Sequence, residues 1–207
     1  MDFKKGRINT GYFFLGLFAI FIGLYPLHFI GLPYEQGLLG SKSDTLLNSS
    51  LYLTAFYTHI FLGGLALISG FSQFYKKLRK KRLALHRVLG KIYIGCVFLS
   101  GTAGLAIAFF ATGGLVPALG FAGLAILWLY TTYNAYTSIK KREIADHQRW
   151  MIRSYSLCFA AVTLRIYLPL FLGVMHMEFV PAYKIIAWLA WVPNLIVAEV
   201  FIVRKLS

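Results

Sequence analysis

An all-α, polytopic transmembrane bundle of about six spans is predicted by three observations. Apolar residues dominate the chain, they fall in runs long enough to cross a bilayer, and the basic residues collect between those runs. Of the 207 residues 58% are hydrophobic and only 14% are charged, and the mean hydropathy is +0.68. A soluble domain carries about one quarter charged residues, and surface-to-volume scaling leaves too many residues outside a water-soluble core to hide so much apolar surface. The formal net charge of +14 could suggest nucleic acid as a partner. Its placement between apolar runs argues instead for a membrane surface, where anionic lipid head groups attract lysine and arginine.

The runs follow from bilayer thickness, since about 20 apolar residues at 1.5 Å each cross about 30 Å of hydrocarbon. They are predicted at residues 10–30, 51–74, 88–111, 115–139, 150–172 and 183–203, within a single transmembrane domain. The basic start, with Lys4, Lys5 and Arg7, followed by an apolar run, is like a signal peptide. That run exceeds the usual apolar region of about 7–15 residues and no A-x-A site follows it, so it is expected to stay as the first span. Residues 31–50, with Pro33, Gly37, Gly40 and few charges, are expected to form a solvated loop, or alternatively a lid across that end. The second and third runs are separated by Lys76, Lys77, Arg79, Lys80, Lys81, Arg82 and Arg87. Gly113, Gly114 and Pro117 predict a tight hairpin between the third and fourth, because proline is tolerated in a first helical turn. Lys140, Lys141, Arg142 and Arg149 separate the fourth and fifth runs, and Arg204 and Lys205 follow the sixth. Alternating spans put every basic segment on one side, where the opposite connections hold little more than Lys42 and Lys184. The positive-inside rule then predicts both termini in the cytoplasm.

Small residues four apart, at Ala66/Gly70, Ser100/Gly104/Ala108 and Ala118/Ala122, mark close helix packing rather than chemistry. Cys96 and Cys158 lie inside apolar runs with no metal-ligand spacing and are expected to be small buried residues. No phosphate loop, nucleophile elbow or HExxH motif occurs, and no catalytic residue is assigned.

Ionisable groups at membrane depth call for a partner or a purpose. His59 and Arg165 lie at similar depth, about 10–12 Å from the non-basic end, with Tyr57 and Tyr167 near them in sequence. They are expected either to share a polar cavity or to be satisfied separately, by snorkelling and by bonds between helices. His86 and His147 immediately precede the third and fifth runs at the basic end, beside Arg87 and Arg149. Such a pair suits an anion, a lipid phosphate or a haem propionate, at helix N-termini. It suits haem iron held directly by imidazole equally, and ordinary interface anchoring remains the plain alternative. Gln73 and Glu199 sit near the same end, Glu199 within reach of Arg153, while His28 and His176 lie near the other surface.

Taken together, His59-x-x-x-Gly63, Gly70-x-x-Gln73-Phe74, His86-Arg87-x-x-Gly90-x-x-Tyr93, His147-x-x-Trp150-Met151-x-Arg153-Ser154 and Thr163-x-Arg165 resemble a bacterial membrane-protein family, domain of unknown function 2306. The likeness runs over residues 51–169. It implies a multi-pass protein of a bacterial plasma membrane and singles out His59, Gln73, His86, His147, Arg153 and Arg165. A looser similarity to b-type membrane cytochromes implies haem b. About fifteen membrane-embedded residues, about 22 Å of helix, part His59 from His86, so only His86 and His147 are candidate axial ligands. Three functions are expected on this basis. The first is a haem-b-binding or quinone-linked redox protein, the second a small-anion or lipid binder or carrier, and the third a non-catalytic partner in a membrane complex.

Overall fold

The computed structural model describes residues 10–30 and 37–206. Lys4, Lys5, Arg7 and Pro33 lie outside the described residues, as do the side chains of Arg204 and Lys205. Every regular element described is helical. Helix α1 (Thr10–Leu24) runs into a 3-10 turn, Tyr25–Phe29, with Pro26 in its first turn. After the short α2 (Asp44–Leu47) comes α3 (Ser50–Gln73), capped by the Ser49 hydroxyl accepting from the Tyr52 amide at 3.3 Å. The chain continues through α4 (Lys76–Lys81), α5 (Leu83–Ala108) and α6 (Leu115–Lys140). Helix α7 (Ile144–Cys158), α8 (Ala160–Pro169) with a π turn Leu170–Val174, α9 (Phe179–Leu189) and α10 (Val192–Leu206) complete it. Among the described residues six helical stretches are long and apolar enough to cross a membrane: Gly11–Phe29, Ser50–Gln73, Leu83–Ala108, Leu115–Lys140, Ile144–Val174 and Phe179–Ile202.

These agree with the six predicted spans, with two physical differences. The third and fifth spans begin earlier than their apolar runs, because a helix satisfies its own backbone and continues through polar residues at the interface. The fifth and sixth are also broken. Pro193 lacks an N–H and its ring excludes the carbonyl four residues back, that of Leu189, which is where α9 ends. Opposite this break the fifth span turns at Phe159. There Asn194 Nδ2 donates to Thr163 Oγ1 (2.8 Å), Ala190 O (3.0 Å) and Ser156 O (3.4 Å), tying the two interrupted spans together.

Four helices, α3, α5, α6 and α7, form a ring in which each packs on the next, so α5 and α7 stand across the bundle from one another. Helix α1 packs on the outer face of α3, α10 on α7, and α9 on α6 and α8. The approach of α1 to α3 depends on paired glycines, since a Cβ on Gly64 would overlap the Gly23 carbonyl. Small residues serve the packing predicted of them: Ala66, Gly70, Ser100, Gly104, Ala108, Ala118 and Ala122 are all buried. Cys96 and Cys158 are buried free thiols.

The end away from the basic segments is covered in part by the connection after the first span. Leu39 is buried against Tyr52 and Phe56. Lys42 Nζ donates to Phe110 O (2.5 Å) and Thr112 Oγ1 (2.9 Å), and burial pushes its ammonium pKa down. The described part of this connection, residues 37–50, thus packs on the bundle end through Leu39 and Lys42, while Ser41, Ser43, Asp44 and Thr45 stay exposed.

Candidate functional site

The bundle axis holds one buried polar layer, and the candidate residues lie on either side of it. Tyr93 of α5 reaches across to α7, where its hydroxyl meets Ser154 Oγ at 2.6 Å. Ser154 also meets Thr132 Oγ1 at 2.6 Å, and Trp128 Nε1 donates to Tyr93 at 3.4 Å. Tyr155 donates to Leu67 O at 3.1 Å. Gly70 makes room for this layer, because a Cβ there would fall 2.7–2.8 Å from the Tyr93 and Tyr155 rings. Gly70, Tyr93 and Ser154 of the sequence pattern thus act in packing.

Toward the basic end, His86 and His147 are each the fourth residue of their helix, inside the first turn rather than before it. Their amides bond to Arg82 O (3.0 Å) and Glu143 O (2.9 Å). Each precedes its member of the Tyr93–Ser154 pair by seven residues, two turns on the same helical face. The contact between Tyr93 and Ser154 therefore turns both imidazoles toward the bundle axis at matched depth. The rings interact electrostatically with one another, and Arg79 of α4 acts on both.

Their hydrogen bonds differ in sense. His147 Nδ1 lies 2.8 Å from the Ala135 carbonyl, an acceptor, so Nδ1 holds the proton and Nε2 a lone pair. His86 Nδ1 faces the Gln73 amide, whose two ends are both satisfied when its nitrogen points at His86. That nitrogen then donates to His86 Nδ1 (3.0 Å) and O (3.3 Å), and the oxygen accepts from Gly90 N (3.3 Å) and Ser72 Oγ (3.1 Å). In that orientation His86 Nδ1 is the acceptor, which assigns its proton to Nε2. One ring offers a donor and the other a lone pair. Haem iron held between them needs a lone pair at both Nε2 atoms; His147 fits, and His86 does not while Gln73 faces it in this way.

Beyond the polar layer, toward the other end, His59 lies nine residues into α3 and Arg165 nine residues before the end of the π turn (59 − 50 and 174 − 165). They lie within electrostatic reach of one another. His59 Nδ1 donates to Ser100 O (2.9 Å) while Ser100 Oγ donates to His59 O (2.8 Å). The ring rests against Gly104, where a Cβ would stand 2.6 Å from Nδ1. Arg165 Nη1 donates to Ala161 O (3.0 Å), and the guanidinium lies 4.7 Å from the centre of the Tyr25 ring. Tyr183 interacts with Arg165 and Tyr52. Tyr25 and Tyr183 thus come to Arg165 from the first and sixth spans. His28 and His176 are exposed, and His28 packs on the Tyr25 ring.

Arg153 is placed apart from both clusters. Its guanidinium makes a two-point pair with Glu199 of α10 (Nε–Oε1 2.6 Å, Nη2–Oε2 2.8 Å) and lies 4.7 Å from the Trp150 ring centre. Glu199 thus neutralises it.

Residues 56–202 match the family model described as predicted membrane protein (DUF2306), most of the chain. The chain belongs to this family. The DUF2306 match reaches further toward the C-terminus than the motifs noted above, taking in α9 and most of α10 and so Tyr183, Asn194 and Glu199. No curated protein and no solved structure shows significant similarity to it.

Proposed function

We propose that this protein is a quinone-linked redox component of a bacterial plasma membrane, with both termini cytoplasmic, and that it holds a quinone head group between His86 and His147. The reading is supported by what each Nδ1 faces, the Ala135 carbonyl for His147 and the Gln73 amide for His86, from which opposed tautomers are assigned. The Nε2–H of His86 donates to a quinone oxygen, and the Nε2 lone pair of His147 accepts the proton of a quinol hydroxyl. Arg79, acting on both rings, favours the reduced, negatively charged forms. The Tyr93–Ser154 layer lies two turns deeper. The histidines handle the two protons of the quinone–quinol couple, and its two electrons pass to or from a one-electron carrier, a haem or iron–sulfur protein, in the same membrane. If Gln73 turned its oxygen to His86, both rings would present lone pairs and could hold haem b iron, which is the runner-up.

The test uses full-length protein in a maltoside detergent. Decylubiquinone is expected to quench tryptophan fluorescence saturably, and His147→Ala and Gln73→Leu are expected to weaken that binding about tenfold or more, as the loss of a buried hydrogen bond at a fixed ring does. Absence of quinone binding, together with haem b bands that vanish in His147→Ala, would replace this reading with the haem one. Neither signal would remove both.

A further inference from the structure

We infer that the cluster around Arg165, independent of the quinone reading, is a binding site for an amphipathic monocarboxylate such as a long-chain fatty acid. The reasoning starts from charge. Arg165 lies inside a membrane-spanning segment, and among the described residues no carboxylate pairs with it. Of its five N–H groups one is used, by Ala161 O; the other four have no hydrogen-bond partner among the described residues. Arg165 is partly buried, and a guanidinium at membrane depth without a counterion is costly. Stacking on Tyr25 offsets only part of that cost.

The neighbours have spare capacity of the same kind. Tyr183 and Tyr52 are 6% exposed, and neither hydroxyl has a hydrogen-bond partner among the described residues, although Tyr183 interacts with both Arg165 and Tyr52. Both can donate to an anion. The carbonyl of Ser100 holds His59 in the tautomer that leaves Nε2 as a lone pair, so the imidazole brings no second positive charge. The site thus carries a single positive charge, which selects a single negative one. A planar guanidinium matches a carboxylate with two parallel bonds. Phe56, Phe29 and the Tyr25 ring adjoin the cluster, so the remainder of the ligand is apolar. At nine residues from the ends of their segments, His59 and Arg165 lie about 13 Å deep, too deep for a lipid phosphate that must stay at the interface.

The experiment measures labelled palmitate binding to the purified full chain in a maltoside detergent, with hexadecanol and inorganic phosphate as competitors. Saturable palmitate binding is expected that neither competitor displaces. Arg165→Gln is expected to weaken it about thirtyfold, since it removes one partner of a buried charge pair. Tyr183→Phe, which preserves shape, is expected to weaken it about threefold, and serves as the decisive variant if Arg165→Gln does not fold. Failure of the wild type to bind palmitate, unchanged affinity in the folded variants, equal displacement by hexadecanol, or displacement by phosphate would each overturn the assignment. Quinone binding at the other end is unaffected by these outcomes.

Discussion

At the scale of single residues, the chemistry of both clusters depends on what each histidine's Nδ1 faces. His59 and His147 face backbone carbonyls, whereas His86 faces a side-chain amide that can turn. Spacing marks Gln73 and His86 as candidates, but spacing carries no azimuth and no tautomer. The glycine facing His59 is a second such case. Gly104 is legible as one of three small residues four apart, which implies close packing; that the packed partner is an imidazole is visible only in three dimensions. Gly104→Ala places a methyl group 2.6 Å from His59 Nδ1, and overpacking of this kind costs about 1–3 kcal/mol. We expect a lower thermal midpoint in detergent and weaker ligand binding at Arg165. Ser154→Ala leaves the Tyr93 and Thr132 hydroxyls without their shared partner. Hydrogen bonds between membrane helices average about 0.6 kcal/mol and reach about 1.7. Two bonds at one serine put the expected loss at about 1–3 kcal/mol, read as a shift in the denaturation midpoint. A wild-type midpoint in Ser154→Ala would mean that the layer is not a structural tie.

At the scale of elements, the two interrupted spans stand out from the straight α3, α5 and α6. The break in the sixth is signalled by Pro193, whose missing N–H has a local cause. The break in the fifth has no such signal at Phe159, because its support comes from Asn194, 35 positions further on (194 − 159). We expect Asn194→Leu, which keeps the volume but removes all three bonds, to loosen α7–α8 against α9–α10. Faster proteolysis of the hinge near Phe159, with α3 and α5 unaffected, would report this; uniform protection would argue against it. The Arg153–Glu199 pair joins the same elements nearer the basic end. Its side chains are 21% and 43% exposed, so solvent and salt screen it. A double-mutant cycle with Arg153→Met and Glu199→Gln is expected to give a coupling of about 1 kcal/mol or less, falling with added salt. A coupling of several kcal/mol would place the pair deeper than its exposure indicates.

At the scale of the whole molecule, apolar run lengths and basic clusters are enough to count the spans and to order residues such as His59, Arg165, His86 and His147 by depth. The order of helices around the bundle is not legible, because each lipid-facing helix is apolar on nearly every side. Tyr25 and Tyr183 therefore reach Arg165 from spans the sequence does not connect to it. Which face meets the cytoplasm follows from an electrostatic rule and has a direct test. Cys96 and Cys158 are buried, so single introduced cysteines can be labelled with little background by a membrane-impermeant maleimide. Ser43→Cys and Thr112→Cys are expected to label in intact cells. Arg82→Cys and Arg142→Cys are expected to label only after permeabilisation, as lysine and arginine near span ends favour the cytoplasmic side. Labelling of Arg82→Cys in intact cells would turn the bundle over, so that the His86–His147 pair opened away from the cytoplasm and the Arg165 cluster toward it. Either orientation leaves the internal packing unchanged, so the outcome decides which compartment each polar cluster serves.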